Sequence, residues 1–413
     1  VYNTDQPCRY SLGARWIHTM LAAPLENHWL NIEEGRVESV SPKPACTQTQ
    51  HLGSNSILLP AAVNAHAHLE LSQLDAPLEV PSRLMSDWVA SLMAFRRSGD
   101  YDAERGIRRA VCRPDFSEST IAVADIVPPT IKLSPENNVP FSVIPLRFIP
   151  AFVNNSRNGA QRNDGRLLSG GSLTFPLSKG ERTASLKYLP FVELIAWQKE
   201  AVGKRNAAPP AFGLAPHAPH TICPALLENA IAQNVPLAMH LAETLEELQL
   251  LQHHTGPLLE MMQRADPDYA PASVLLGKRP RDYLQLLSAA PKAFIIHGNY
   301  LDDEELRFLA SHRETMAAVY CPRSHAYFRH RAYPLKKMLD YGVRVLLGTD
   351  SLASTPNLSL VEDMQFAIKQ HPTVAPEIIY RLGTLEGAAA FDLLSDGLGT
   401  IHPGSPARFA VVP

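Results

Sequence analysis

The stretch ILLPAAVNAHAHLE, residues 57–70, is an apolar run that ends in two histidines one residue apart. Side chains alternate along an extended chain, so His66 and His68 leave the strand end on the same side and can hold one metal ion between them. An isolated His-x-His pair is weak evidence, because two histidines at a loop mouth satisfy the same pattern. Later strands give the pair its weight. Short apolar runs recur at 121–127, 211–215, 236–239, 293–296, 316–320 and 343–347, each leading into polar or helical sequence. Strands that alternate with helices imply a parallel sheet.

Helical segments are legible between these runs. DDEELRFLASH (302–312) opens with acids suited to a helix N-terminus, and Ser359 with Glu362 forms a capping-box pattern before VEDMQFAIKQ. Seven strands are clear. The remaining one, third in order, is either 141–149 (FSVIPLRFI) or 189–195 (LPFVELI), and between these candidates lies a long Asn-, Gly-, Arg- and Ser-rich insertion of unassigned role. Eight strands predict an α/β fold, a (β/α)8 TIM-like barrel over residues 57–397. Residues 11–56 instead alternate apolar and polar positions with turns such as Glu34-Gly35, and the C-terminal GLGTIHPGSPARFAVVP looks similar. Neither end alone could bury a sheet, so residues 1–56 and 398–413 are expected to pair into a small composite β-sandwich.

Composition narrows the function classes. The 413 residues carry 38 Lys and Arg against 41 Asp and Glu, a formal charge of −3, with 45% hydrophobic residues. A near-neutral chain has no single-sign field for nucleic acid, and no apolar run reaches the roughly 18 residues needed to span a bilayer. Neither nucleic acid nor membrane is an expected partner. The five cysteines (Cys8, Cys46, Cys112, Cys223, Cys321) are scattered without zinc-ribbon or CxxC spacing, which suits core thiols in a reducing, cytoplasmic setting. The chain starts at Val1 and stops at VVP within an apolar run, so the natural protein is expected to extend further.

Three later strand ends carry chemistry of their own. PLAMHLAET places His240 at one end with Glu243 three residues on, KAFIIHGN places His297 at the next, and VRVLLGTDS places Asp350 after the last. In a parallel barrel all strand C-termini surround one mouth, so these residues converge with His66 and His68. Singly, Glu243 reads as a helix-start acid, His297 as a rim histidine and Asp350 as a turn cap; jointly they read as a metal site. Three neutral imidazoles and a carboxylate (His66, His68, His240, Asp350) leave one position open on a divalent ion, and water held there ionises near pH 7. Glu243 is placed to shuttle its proton, and His297 and Asp350 to orient the attacking water. LAPHAPHT after the fourth strand supplies no lysine for a two-metal bridge, and Lys187 reads as a surface residue, so one metal ion is expected. The donor set suits zinc, iron or manganese, with zinc the first choice.

HAHLE, PHAPHT, MHLAET, IIHGN, CPRSH and LGTDSLAS, in this order and spacing, resemble the amidohydrolase superfamily, in particular its aminohydrolase branch of guanine, cytosine and adenosine-type deaminases and atrazine chlorohydrolase. The resemblance covers about residues 57–405 and implies a single zinc or iron ion and hydrolytic removal of a ring amino group. It matches His66, His68, His240 and Asp350 to the ligands, Glu243 to the proton shuttle and His297 to the water-orienting histidine. Departures are Arg408 in PGSPARF where an acid is usual, His325 where many relatives have Asn, and the 154–172 stretch, which has no counterpart.

Substrate contacts are expected from the loops. By resemblance, His217 of PHAPHT touches substrate; on the residues alone it serves equally as a rim histidine. Glu70 lies on the side of His68 and either accepts hydrogen bonds from a ribose or ring N–H or braces the first loop. Trp88 either stacks on a base or packs in the core, and Arg96 either pairs with a substrate carboxylate or faces solvent. Ser351, beside Asp350, completes the candidate set. HAHLELS, Trp88, CPRSH and GTDSLAS look most like the aminodeoxyfutalosine deaminase group, which implies conversion of a 6-amino to a 6-oxo purine nucleoside in menaquinone biosynthesis. The alternatives are S-adenosylhomocysteine, guanine, pterin or triazine substrates, or a non-catalytic scaffold barrel. Relatives are often dimers, so a homodimer stays open.

Overall fold

The computed structural model describes residues 9–80, 82, 84–131, 186–196 and 212–413. Five strands open the chain: β1 (Arg9–Ile17), β2 (Leu25–Glu33), β3 (Arg36–Ser41), β4 (Thr49–His51) and β5 (Ile57–Pro60). β1, β2 and β3 are antiparallel neighbours, while β4 and β5 both run parallel alongside β1, so the sheet forks there. The C-terminal β14 (Phe409–Val412) completes it by pairing antiparallel with β5. The two chain ends therefore share one six-stranded sheet, in the place expected of the composite sandwich.

The second sheet has eight strands, all parallel and in chain order: β6 (Ala62–Ala67), β7 (Thr120–Val127), β8 (Lys187–Leu194), β9 (Gly213–Pro216), β10 (Leu237–Leu241), β11 (Ala293–His297), β12 (Met316–Tyr320) and β13 (Val345–Leu347). The ring closes where Ala67 bridges Asp350 and the N–H groups of Thr349 and Asp350 both donate to the His66 carbonyl, each at 3.1 Å. This is a (β/α)8 barrel. Every residue of β6, β7, β10, β11, β12 and β13 is buried, because a parallel strand is covered on both faces. Alternate side chains divide between two cores. Ala122, Ala124, Phe191, Ala238, Phe294 and Val319 fill the interior, while Val123, Met239, Ile295 and Val345 meet helix residues such as Leu227, Leu306 and Met338 outside. Phe391 stacks on Phe294 at 4.6 Å, near the start of β11 and so at the end away from the strand C-termini.

The structure corrects one strand and selects another. Residues 57–63, read as a single barrel strand, split at Pro60: β5 belongs to the small sheet and the barrel begins at Ala62. An unbroken apolar run hides such a switch, since both halves are buried. Of the two candidates for the third barrel strand, 189–195 coincides with β8 except for Ile195, which follows its end, and 141–149 and the 154–172 stretch lie outside the described residues. The helix at Asp303–Ser311 opens with acids as expected, and Asp302 with Glu305 adds a capping box there. Of the box expected at Ser359 and Glu362 only half forms, since Ser359 accepts the Glu362 N–H and caps Leu360–Gln370 but gives its own N–H to Asn357. Lys187 starts β8 and ion-pairs with Asp396 at 2.9 Å, away from the strand C-termini.

Asp125, near the end of β7, is fully buried and accepts hydrogen bonds from the Leu69 N–H (2.8 Å) and the Tyr188 hydroxyl (2.6 Å). It thereby ties the first loop to the barrel. Burial outweighs both bonds and pushes its carboxyl up to about 8. A folded value above the unfolded one of about 3.9 means the native state keeps the proton longer, so this group's stability contribution is lost as pH rises between about 4 and 8. In thermal melts, the midpoint of Asp125→Asn relative to wild type should therefore climb with pH across that window. A pH-independent difference would show that Asp125 does not carry the proton.

Candidate active site

The barrel brings His66, His68, His240, Glu243, His297 and Asp350 to one mouth. His66 is completely buried and neither ring nitrogen has a hydrogen-bond partner among the described residues. Its Nε2 lies 3.8 Å from Asp350 Oδ1, while His68 Nε2 and His240 Nε2 approach each other to 3.4 Å. Ligand atoms of His66, His68 and Asp350 all lie within 4.8 Å of one another, as do those of His66, His240 and His297. Leaving a buried polar atom unmade costs about 1–3 kcal/mol, so this concentration of inward lone pairs fits a cation. Burial keeps the imidazoles neutral and able to ligate: His66, His68 and His297 sit well below the usual histidine range and His240 is lowered to about 3, with neighbouring imidazoles adding to the effect.

Hydrogen bonds outside this ring aim its members. His240 Nδ1 lies 3.1 Å from the His217 carbonyl, an arrangement that puts the proton on Nδ1 and leaves Nε2 as the lone pair facing the centre. Asp350 Oδ2 accepts from the Ser324 and Ser354 hydroxyls at 2.6 and 3.3 Å, which leaves Oδ1 for the histidines. Its φ of 62° lies in the left-handed region, as does the 67° of His297. Such conformations persist only where surroundings hold them. For Asp350 the His66 carbonyl accepts its N–H; for His297 the Tyr333 hydroxyl donates to its carbonyl at 3.1 Å.

Glu243 Oε1 lies 3.3 Å from His297 Nε2. Burial first, then the nearby Asp350 charge, raises its carboxyl well above the usual range, the direction that suits a general acid. Asp350 is itself pushed up to about 6 by burial, against the Ser324 and Ser354 bonds that favour its ionised form.

The candidate substrate contacts divide. His217 joins the cluster, its ring 5.0 Å from that of His240 and its Nδ1 2.8 Å from Thr221 Oγ1. Glu70 is fully buried, with Oε1 accepting from Arg96 (2.5 Å) and Oε2 from Tyr101 (3.2 Å), so it braces the first loop against the helix Met85–Arg97. Arg96 thus has an internal partner. Trp88 donates its indole N–H to the Ala353 carbonyl and packs edge-on against Phe328. Ser351 is buried in the turn after Asp350, where its hydroxyl accepts the Ala353 N–H. Sequence reasoning missed Ser324, Ser354, Tyr101 and Tyr333. Ser324 lies within CPRSH, a motif read there only for His325, whose buried Nε2 has no partner among the described residues.

Residues 197–413, just over half of the chain, match the profile of the amidohydrolase family. The chain belongs to this family. Among its relatives, this amidohydrolase is 33% identical over 224 residues to the 5-methylthioadenosine/S-adenosylhomocysteine deaminase of Pyrococcus furiosus, covering 52% of this chain and 48% of that protein. It thus spans about half the length of that relative. The enzyme of the same name from Carboxydothermus hydrogenoformans is 25% identical over 394 residues, 91% of this chain and 78% of its own. In fold the amidohydrolase is similar to Helicobacter pylori aminofutalosine deaminase in complex with methylthio-coformycin (TM-score 0.69, 19% identity, 97% of this chain and 91% of that one). It is also similar to a zinc-bound adenosine deaminase of Xanthomonas campestris (TM-score 0.61, 17% identity, 98% and 84%).

Elemental analysis of purified protein should find one divalent ion per chain. His66→Ala should lose it, and Ser324→Ala, which frees Asp350 to turn, should weaken retention against a chelator by about 10–100-fold. Full metal content in His66→Ala would remove this residue from the ligand set.

Proposed function

We propose that the chain is a metal-dependent hydrolytic deaminase of an adenine-type nucleoside, with aminodeoxyfutalosine as its substrate. The observation that carries the reading is the 3.3 Å pairing of Glu243 with His297, beside the buried cluster of His66, His68, His240 and Asp350. His66, His68, His240 and Asp350 would hold one zinc ion, which supplies activation of water toward the ring carbon. Glu243 gives its proton to the ring nitrogen next to the amino-bearing carbon; the proton that Asp350 takes from the attacking water passes to the departing ammonia, and the hydroxyl of the tetrahedral carbon returns one to Glu243. His297 Nε2 keeps that carboxyl aimed. Asp350 Oδ1 accepts the proton of the attacking water.

For the purine, support comes from the named activities of the relatives and from His217 beside His240. For an acidic arm, it comes from Arg96, which is held at the mouth by Glu70. Glu70 engages only Nη2 of this guanidinium among the described residues, so an arm that carries a carboxylate would meet its remaining N–H groups; such a substrate belongs to menaquinone biosynthesis. A second reading, deamination of methylthioadenosine or S-adenosylhomocysteine, is favoured by the same relatives and uses the same metal site.

Loss of adenine absorbance separates the two. With protein of known metal content, turnover of aminodeoxyfutalosine should exceed that of adenosine, methylthioadenosine and S-adenosylhomocysteine by at least about tenfold in kcat/KM, the value of one good ionic contact. A faster rate on a sulfur-bearing nucleoside would overturn the substrate but keep the reaction. Glu243→Gln should retain the metal and lose about 100-fold or more in kcat; a near-normal rate would remove the proton shuttle.

A further inference from the structure

The segment Leu241-Ala242-Glu243 leaves β10 with every main-chain group from the Leu241 carbonyl to the Glu243 carbonyl partnered. The three carbonyls face the end of β11: Leu241 accepts from the Gly298 N–H at 3.1 Å, Ala242 from the Tyr300 N–H at 3.0 Å and Glu243 from Asn299 Nδ2 at 2.9 Å. The two N–H groups go to one side chain. Glu247 Oε1 accepts from Ala242 and Oε2 from Glu243, both at 2.9 Å, with the Glu247 carboxylate almost wholly buried. Ala242 has φ 53°, a left-handed conformation that an alanine rarely adopts and that these bonds hold. Thr244 in turn accepts the Glu247 N–H at 3.0 Å and caps Leu245–His253.

The preceding carboxylate faces another way. The helix Met85–Arg97 has no side-chain cap from its own N-terminal residue Leu84. Glu246 supplies one from a distant part of the chain: Oε1 accepts the Met85 N–H at 2.8 Å and Oε2 the Ser86 N–H at 3.4 Å. An anion at a helix N-terminus is favoured by both the free N–H groups and the helix dipole. That helix carries Trp88 and Arg96, and Arg96 continues to Glu70, two residues beyond His68.

We infer that Glu246 and Glu247 are positioning residues with divided tasks: Glu247 fixes the backbone of the proton-shuttling Glu243, and Glu246 pins the helix that receives the substrate arm to the same loop. The inference rests on the deaminase reading for its kinetic form and on geometry alone for its structural form. Loss of Glu247 then disturbs the proton transfer and appears in kcat, whereas loss of Glu246 disturbs arm binding and appears in KM.

The test compares Glu246→Gln, Glu247→Gln and Glu247→Asp as metal-loaded full chains. Glu247→Gln should lower kcat by about 10–100-fold, the usual effect of misplacing a reacting group by about an ångström, with KM within about twofold and metal content unchanged. Its kcat-pH profile should shift as well. Glu246→Gln should raise KM several-fold for the arm-bearing nucleoside, with kcat within about twofold. Glu247→Asp, which keeps the charge, should recover part of the rate, and it stands in if the Gln variant does not fold. Equal effects of both Gln variants on kcat and KM, or none, would overturn the division. Amide hydrogen exchange gives a readout free of substrate: Glu247→Gln should speed exchange at Ala242 and Glu243, and Glu246→Gln at Met85 and Ser86. If the exchange changes appear while wild type deaminates nothing, the functional reading fails and the positioning stands; if exchange at those amides is unaltered, the positioning itself is refuted.

Discussion

The structure depends on a cluster of imidazole nitrogens and a carboxylate that the protein buries together at the barrel mouth. His66 is fully enclosed with no hydrogen-bond partner for either ring nitrogen among the described residues, His68 and His240 point nitrogens at each other, and Asp350 presents one oxygen to His66 while serine hydroxyls occupy the other. Without a cation this arrangement is costly, since buried imidazoles packed against one another and a carboxylate leave lone pairs such as those of His66 without a donor among the described residues. The parallel barrel makes it possible by stacking two cores beneath and around the mouth, whose apolar contacts offset the local penalty.

Around that centre lies a layer of residues whose hydrogen bonds hold its members in place. Ser324 and Ser354 turn Asp350, the His217 carbonyl selects the His240 tautomer, Tyr333 holds His297, and Glu247 holds Glu243. Several of the groups they support have backbone angles that a free chain avoids, notably Ala242, His297 and Asp350. Strain of this kind is tolerated because neighbouring bonds over-determine the conformation, and it sets the reacting groups at angles that regular strands cannot reach.

Much of this centre was legible in the sequence, for specific reasons. A His-x-His at a strand end has a period of two, so a common direction for His66 and His68 comes from backbone geometry alone. His240, His297 and Asp350 were legible because each ends a short apolar run, and parallel-barrel topology gathers all such ends. The division at Pro60 was not legible, since both halves of 57–63 are buried and apolar. Nor was the pairing of Glu70 with Arg96 and Tyr101: these residues are 26 and 31 positions apart from Glu70, and nothing in composition joins a loop to a helix at that distance. The serines behind Asp350 escaped for the same reason, because a hydroxyl has no period or spacing that distinguishes a ligand's support from a surface residue.

We propose that His66, His68, His240 and Asp350 hold one metal ion and leave His297 to Glu243. Anomalous diffraction at the zinc edge, from crystals of zinc-loaded protein, tests it most directly. One peak per chain is expected, about 2.0–2.2 Å from a nitrogen of each of His66, His68 and His240 and from an oxygen of Asp350, with His297 outside coordination distance. Two peaks at the mouth, or one peak bound by His297 in place of His68 or Asp350, would contradict it.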